Sequence, residues 1–216
     1  GAIDAACLGG TDCNDDNNTI KPGVVDPTEG VVTTTWRIDD GGARDQYVSS
    51  AFDDVGNAHL AFYNPSRDNL EYATNRSGTW MTATIDAPNN VGAYADITAI
   101  GDGEVHIAYY DDTNNDVRYA TNRSGTWTTE NVTGDSANNN GQWAAIAVTD
   151  AGATVHVFYY DTTNDDLMYR KRTGSGWGAP EAIDTLNNTG QYISAVAGAD
   201  GTLHVAYHYV SGRDAK

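Results

Sequence analysis

Oxygen-bearing side chains crowd the start of this 216-residue chain. Asp12, Asn14 and Asp16 stand at alternate positions, followed by Pro22-Gly23 and a returning carboxylate, Asp26. Such spacing lets one tight loop aim several ligands at a hard cation, and Ca²⁺ takes six to eight oxygens at roughly 2.3–2.6 Å. The stretch is not an EF-hand loop, because counting from Asp12 it lacks Gly at the sixth position and Glu at the twelfth. The expectation is a Ca²⁺ site built by Asp12, Asn14, Asp16 and Asp26; the plainer alternative is a solvated acidic loop. Cys7 and Cys13 lie in the same stretch and are the two cysteines of the chain. They predict one small disulfide and an oxidising compartment, against a free pair in a reduced protein.

A second set of residues has the chemistry of sugar recognition. Tyr47, Tyr94, Trp143 and Tyr192 each follow a loop, and residues 89–90, 138–142 and 187–191 make three of these loops rich in amides and glycine. Asp111, Asp112, Asp161, Asn164 and Asp165 mark hairpins expected on the same face. Aromatic faces beside amides and carboxylates suit sugar rings, which present C–H faces and hydroxyl edges. The competing reading packs the aromatics between neighbouring sheets and gives the polar residues to turns. His59, His106, His156 and His204 recur too evenly for a metal cluster, so structural histidines are expected. No Ser-His-Asp order is evident, and Glu29, Glu71, Glu104, Glu130 and Glu181 are scattered, so no catalytic residue is assigned. Asn17, Asn75, Asn122, Asn131 and Asn187 head Asn-x-Ser/Thr sequons and are candidate glycosylation sites.

The elements that must position these residues come from a repeat. The histidines fall at intervals of 47, 50 and 48, and the first three each precede a Tyr by 13 residues and a Trp by 21. Within one period, residues 94–100, 105–110, 117–120 and 126–132 alternate in the manner of strands, with turn residues between them. No segment carries helical periodicity over three turns. Four antiparallel strands per repeat of this length define a β-propeller blade. The fold class is therefore all-β: a propeller of about four four-stranded blades over residues 30–216, preceded by an irregular tail, 1–29. Residues 30–40 read as a lone strand that supplies the outer edge of the last, incomplete blade.

Twenty-five Asp and five Glu against twelve Lys and Arg leave a net charge of −18. No basic patch exists to neutralise phosphates, which argues against nucleic acid as a partner. No apolar run is long enough for membrane insertion as a helix.

The blades resemble BNR/Asp-box-like propeller repeats of sialidase-like and bacterial lectin-like proteins, carried by residues 73–80 (ATNRSGTW) and by the HIAYYD run that begins at His106. That resemblance implies the blade, since Asp-boxes are structural turns and say nothing of catalysis. The acidic tail resembles the metal-binding motif of MopE-type bacterial surface proteins at Asp12, Cys13, Asp15, Asn17, Ile20, Pro22, Gly23 and Asp26. The resulting expectation is a secreted or cell-surface, extracellular, non-enzymatic propeller. It would be structural or adhesive, calcium-stabilised, and self-associating into a homo-oligomer or fibre by strand or tail exchange. The alternative is a lectin that binds glycans at sites repeated with the blades; a sialidase-like glycoside hydrolase ranks third.

Overall fold

Turn residues punctuate the chain so often that each strand is short, and each finds its partner in the next segment. The computed structural model describes residues 45–134 and 139–216, together with the backbone of Val24–Val25 and Val32–Thr33. The chain divides into two units, Gly1–Asp40 and Gly41–Lys216. In the first, β1 (Val24–Val25) pairs antiparallel with β2 (Val32–Thr33). The described part of the expected closing strand, Val32–Thr33, is thus bonded to Val24–Val25, and the rest of that segment lies outside the described residues.

The second unit is a series of meandering antiparallel sheets, each one blade. Blade 1 is β3 (Gln46–Phe52), β4 (Ala58–Asn64), β5 (Asn69–Thr74) and β6 (Met81–Asp86). Blade 2 is β7 (Val91–Ile100), β8 (Glu104–Asp111), β9 (Asp116–Thr121) and β10 (Thr128–Asn131). Blade 3 runs β11 (Asn140–Thr149), β12 (Thr154–Asp161) and β13 (Asp166–Thr173), with β14 (Gly176–Trp177) and β15 (Glu181–Asp184) both pairing with β13. Among the described residues blade 4 has three strands: β16 (Thr189–Ala197), β17 (Leu203–Tyr209) and the short β18 (Asp214–Ala215). First strands pack in sequence, β3 on β7, β7 on β11 and β11 on β16. This is the β-propeller architecture expected from the repeat. Among the described residues no helix is long and apolar enough to cross a membrane.

The 13- and 21-residue spacings have a structural cause. His106 Nδ1 lies 2.6 Å from the Tyr119 hydroxyl, across the β8–β9 pair, and the same contact joins His59 to Tyr72 at 2.5 Å and His156 to Tyr169 at 2.8 Å. The tyrosine ring then meets the tryptophan of the following blade edge-on: Tyr72 with Trp127 at 5.0 Å and Tyr119 with Trp177 at 5.6 Å between centroids. The second ring nitrogen faces Asp53 in blade 1, Glu104 in blade 2 and Thr149 in blade 3. All three histidines are buried and partnered, as expected of structural residues. Around them apolar side chains of adjacent blades merge, with Leu70 and Tyr72 of blade 1 packed with Ile97, Ile107 and Tyr109 of blade 2.

Close approach between blades also fixes two glycines. A Cβ on Gly92 would stand 2.8 Å from Leu70 Cα, and one on Gly190 would stand 2.8 Å from Leu167 Cα. Both have positive φ, +108° and +101°, so any side chain is excluded by space and by backbone. The hairpins after β8 and β12 are Asx turns. Asp111 Oδ1 accepts from the amides of Thr113 and Asn114, and Asp161 Oδ1 accepts from those of Thr163 and Asn164. Asp111, Asp161 and Asn164 therefore belong to turns.

Removing the Tyr119 hydroxyl with Tyr119→Phe leaves a buried imidazole nitrogen without its partner, a loss of about 1–3 kcal/mol of unfolding free energy; urea denaturation checks it, and an unchanged midpoint would contradict the bond. Burial lowers the pKa of His106, against the pull of Glu104, and burial lowers that of His156. At Asp53 burial is outweighed by hydrogen bonds from Asn57, His59 and Val55, which hold the carboxyl down at about 2. The unfolded chain binds more protons in each case, so stability is full above about pH 6.5 and falls as the pH drops, first through the histidines and then toward pH 2 through Asp53. Thermal melts across pH 8 to 3 should show that order.

Candidate functional site

Two surfaces combine aromatic rings with hydrogen-bonding groups. The first is built by the four aromatics singled out in the sequence. Each sits in a β-bulge of its blade's first strand, where the register slips between Gln46 and Ser49, Ala93 and Asp96, Gln142 and Ala145, and Gln191 and Ser194. Tyr47, Tyr94, Trp143 and Tyr192 all have left-handed φ, between 51° and 53°. Bulky side chains avoid that region, and holding one there costs of order 1–3 kcal/mol.

The bulges bring the four rings into one row, with centroids 4.5 Å apart for Tyr47–Tyr94, 5.4 Å for Tyr94–Trp143 and 5.1 Å for Trp143–Tyr192. Tyr63, Tyr110 and Tyr160 from the second strands back the row. The Tyr110 hydroxyl donates to Asn115 or Asn139, and that of Tyr160 lies against Asp165 and Asn188. Burial, with the Tyr47 hydroxyl beside it, pushes Tyr94 up to about 12. Tyr94 and Trp143 each touch three aromatic rings, so their faces are largely taken up by one another. The ends of the row, Tyr47 at 41% and Tyr192 at 66%, are the open members. The four aromatics thus form one continuous packed row, as the competing reading of packing between neighbouring sheets describes.

The second surface is a cavity of about 540 Å³ between blades 2 and 3. Glu130 on β10 and Arg172 on β13 face each other as a fork, with Nε 2.8 Å from Oε2 and an Nη nitrogen 2.7 Å from Oε1. Trp177 Nε1 donates to the same Oε2 at 3.1 Å, and the guanidinium lies 5.9 Å from the centre of the Tyr119 ring. Arg172 holds the Glu130 carboxyl below its usual range, against partial burial, with Trp177 adding to the effect. Glu130 also raises Arg172, so the pair is ionised near neutrality. Arg123 lines the opposite side, bound to Glu104 and, at 3.0 Å, to the Ala151 carbonyl. Ala151 belongs to a strained turn: Asp150, Ala151 and Gly152 are left-handed in succession, with φ of 53°, 51° and 79°.

Sequence reasoning passed over Glu130, Arg172 and Trp177 as site residues. The signal was a departure from the repeat. Arg172 occupies the position of Asn75 and Asn122, whose side chains cap the Ala58 and Val105 amides, and Glu130 occupies that of Ala83. Comparing copies for what differs, rather than for what recurs, would have found both.

The remaining expectations fall as follows. Asp12, Asn14, Asp16, Asp26, Cys7, Cys13 and Asn17 lie outside the described residues. Among the described residues no three His, Cys, Asp or Glu side chains gather closely enough for a metal ion. Asn131 and Asn187 are exposed. Asn122 is half-buried, and its amide nitrogen donates to the Gly103 carbonyl at 2.8 Å.

No protein-family model matches the chain, and no curated protein matches it significantly. Solved structures do share its fold. AofleA from Arthrobotrys oligospora matches at 16% identity and a TM-score of 0.56, over 76% of this chain and 50% of its own. A variant of the Aleuria aurantia lectin AAL in complex with Fucα1-6GlcNAc matches at 17% and 0.54, over 78% and 55%. Penicillium chrysogenum α-L-arabinanase complexed with arabinobiose matches at 12% and 0.57, over 77% and 57%. This chain spans about half the length of each.

Because Glu130 is held below its ordinary pKa, the fork around Trp177 should survive acidification past pH 4.5 and open only below it. The Trp177 emission, obtained by difference against Trp177→Phe, should stay constant from pH 7 to that point. A shift centred near pH 4.5 or higher would show that Arg172 does not hold the carboxylate.

Proposed function

We propose that this chain is a carbohydrate-binding β-propeller, and that the cavity between blades 2 and 3 is its sugar site. The observation that carries the reading is the Glu130–Arg172–Trp177 cluster against Tyr119. A carboxylate and a guanidinium locked side by side present acceptors and donors in fixed directions, which fits neighbouring hydroxyls on one sugar ring. An aromatic ring beside them offers a face for the C–H side of that ring. A few convergent polar groups in a cavity of this size is the usual form of a small-ligand site. The shared fold with a lectin crystallised with a fucose disaccharide and with an arabinanase crystallised with arabinobiose supports the same reading.

Binding is favoured over hydrolysis by the number of carboxylates. Most glycoside hydrolases place two across the scissile bond, one as acid and one as base or nucleophile. Glu130 is the one carboxylate lining this cavity among the described residues. Glu104 nearby is committed to Arg123 and His106.

A glycan array followed by titration calorimetry tests the proposal. Glu130→Ala and Arg172→Ala should each weaken binding by about tenfold or more, equivalent to about 1.4 kcal/mol, while retaining the β-sheet circular dichroism. Tyr192→Ala should bind as the parent does. Loss of binding in Tyr192→Ala alone would move the site to the aromatic row, and an array without hits would refute sugar binding.

A further inference from the structure

Among the described residues, large apolar side chains are exposed only at the two ends of the blade series. Tyr47, Val48, Phe52, Val55 and Met81 belong to blade 1, and Ile183, Leu186, Tyr192 and Val196 to the end of blade 3 and to blade 4. The repeat shows what these positions do elsewhere. Val48, Ser50 and Phe52 on β3 correspond to Ala95, Ile97 and Ala99 on β7, and to Ala144, Ile146 and Val148 on β11. In blades 2 and 3 those residues pack against the preceding blade, and Ile97 and Ile146 are 5% and 2% exposed. Phe52, in contrast, is 71% exposed.

The other face behaves in the same way. His59, His106 and His156 are buried by the blade that follows, yet their counterpart His204 is exposed, together with Ala206, Tyr192, Ser194 and Val196. Blade 1 thus presents the front half of an inter-blade joint, and blade 4 the back half. Among the described residues first-strand packing runs from β3 through β7 and β11 to β16, with no comparable packing of β16 on β3.

We infer that a second copy of this chain covers these faces, the front of blade 1 in one copy stacking on the back of blade 4 in the other. The occupant is specified by continuity with the three joints already present, because each face is the half that the other lacks. The contact is heterologous, so it closes if the rotation per copy permits and otherwise extends head to tail. The whole chain carries a net charge of −18, so copies repel one another at low ionic strength. Added salt therefore screens the repulsion between copies and favours the assembly. This differs from strand or tail exchange: no strand leaves its sheet.

Sedimentation velocity on the full chain provides the test. The parent should sediment as a dimer or larger species, more so at higher salt. Phe52→Asp and Val196→Asp each spoil one half-joint on an exposed position, so each alone should be monomeric with unchanged circular dichroism. Mixed together they should recover a dimer, since one retains an intact back and the other an intact front. A monomeric parent overturns the inference, including the case in which the chain's own N-terminal residues cover the faces. So does a mixture that stays monomeric, or association that survives in either variant alone.

Discussion

The structure depends on a buried imidazole that cannot be left unpaired. Each inter-strand His–Tyr contact satisfies a ring nitrogen that burial has removed from water, and an unsatisfied buried polar group costs as much as a good hydrogen bond gains. In blades 1 and 2 the tyrosine that answers it is held edge-on by a tryptophan from the next blade. One polar pair therefore aligns two strands within a blade and, through its ring, the blade with its neighbour. The 13- and 21-residue spacings are the trace of that joint in the sequence.

The same economy suits a chain so rich in Asp that, among the described residues, forms strands and tight turns and no α-helix. Asp111 and Asp161 spend their carboxylates on the amides of their own turns, and Asp53 does so on Val55 and Asn57. Short-range acceptors replace the caps and ladders that longer elements would use. Charge that looks like a surface property in the composition is in part internal to the turns.

Where the structure departs from its own repeat, it acquires a different chemistry. Asn75 and Asn122 serve backbone amides in their blades. Arg172, at the equivalent position, reaches across a blade boundary to Glu130. The left-handed turn at residues 150–152 brings the Ala151 carbonyl onto Arg123 at the other side of the cavity. Strain that recurs in every blade, as at Tyr47, Tyr94, Trp143 and Tyr192, belongs to the architecture; the left-handed pair Asp150 and Ala151 lies beside the candidate site.

The sequence by itself determined the strands, the blade and the structural histidines, because these rest on local alternation, turn chemistry and spacing, all of which are periodic along one dimension. It also placed the four bulge aromatics at equivalent positions. Only the tertiary structure decided that those aromatics stack on each other, since successive blades bring rings about fifty residues apart within contact. The Glu130–Arg172 pair was likewise invisible, because its members are 42 residues apart and neither matches a recurring motif. Which faces remain uncovered was a tertiary matter too: Phe52 and Val196 are as apolar as the residues that pack at equivalent positions, but among the described residues no blade lies beside them.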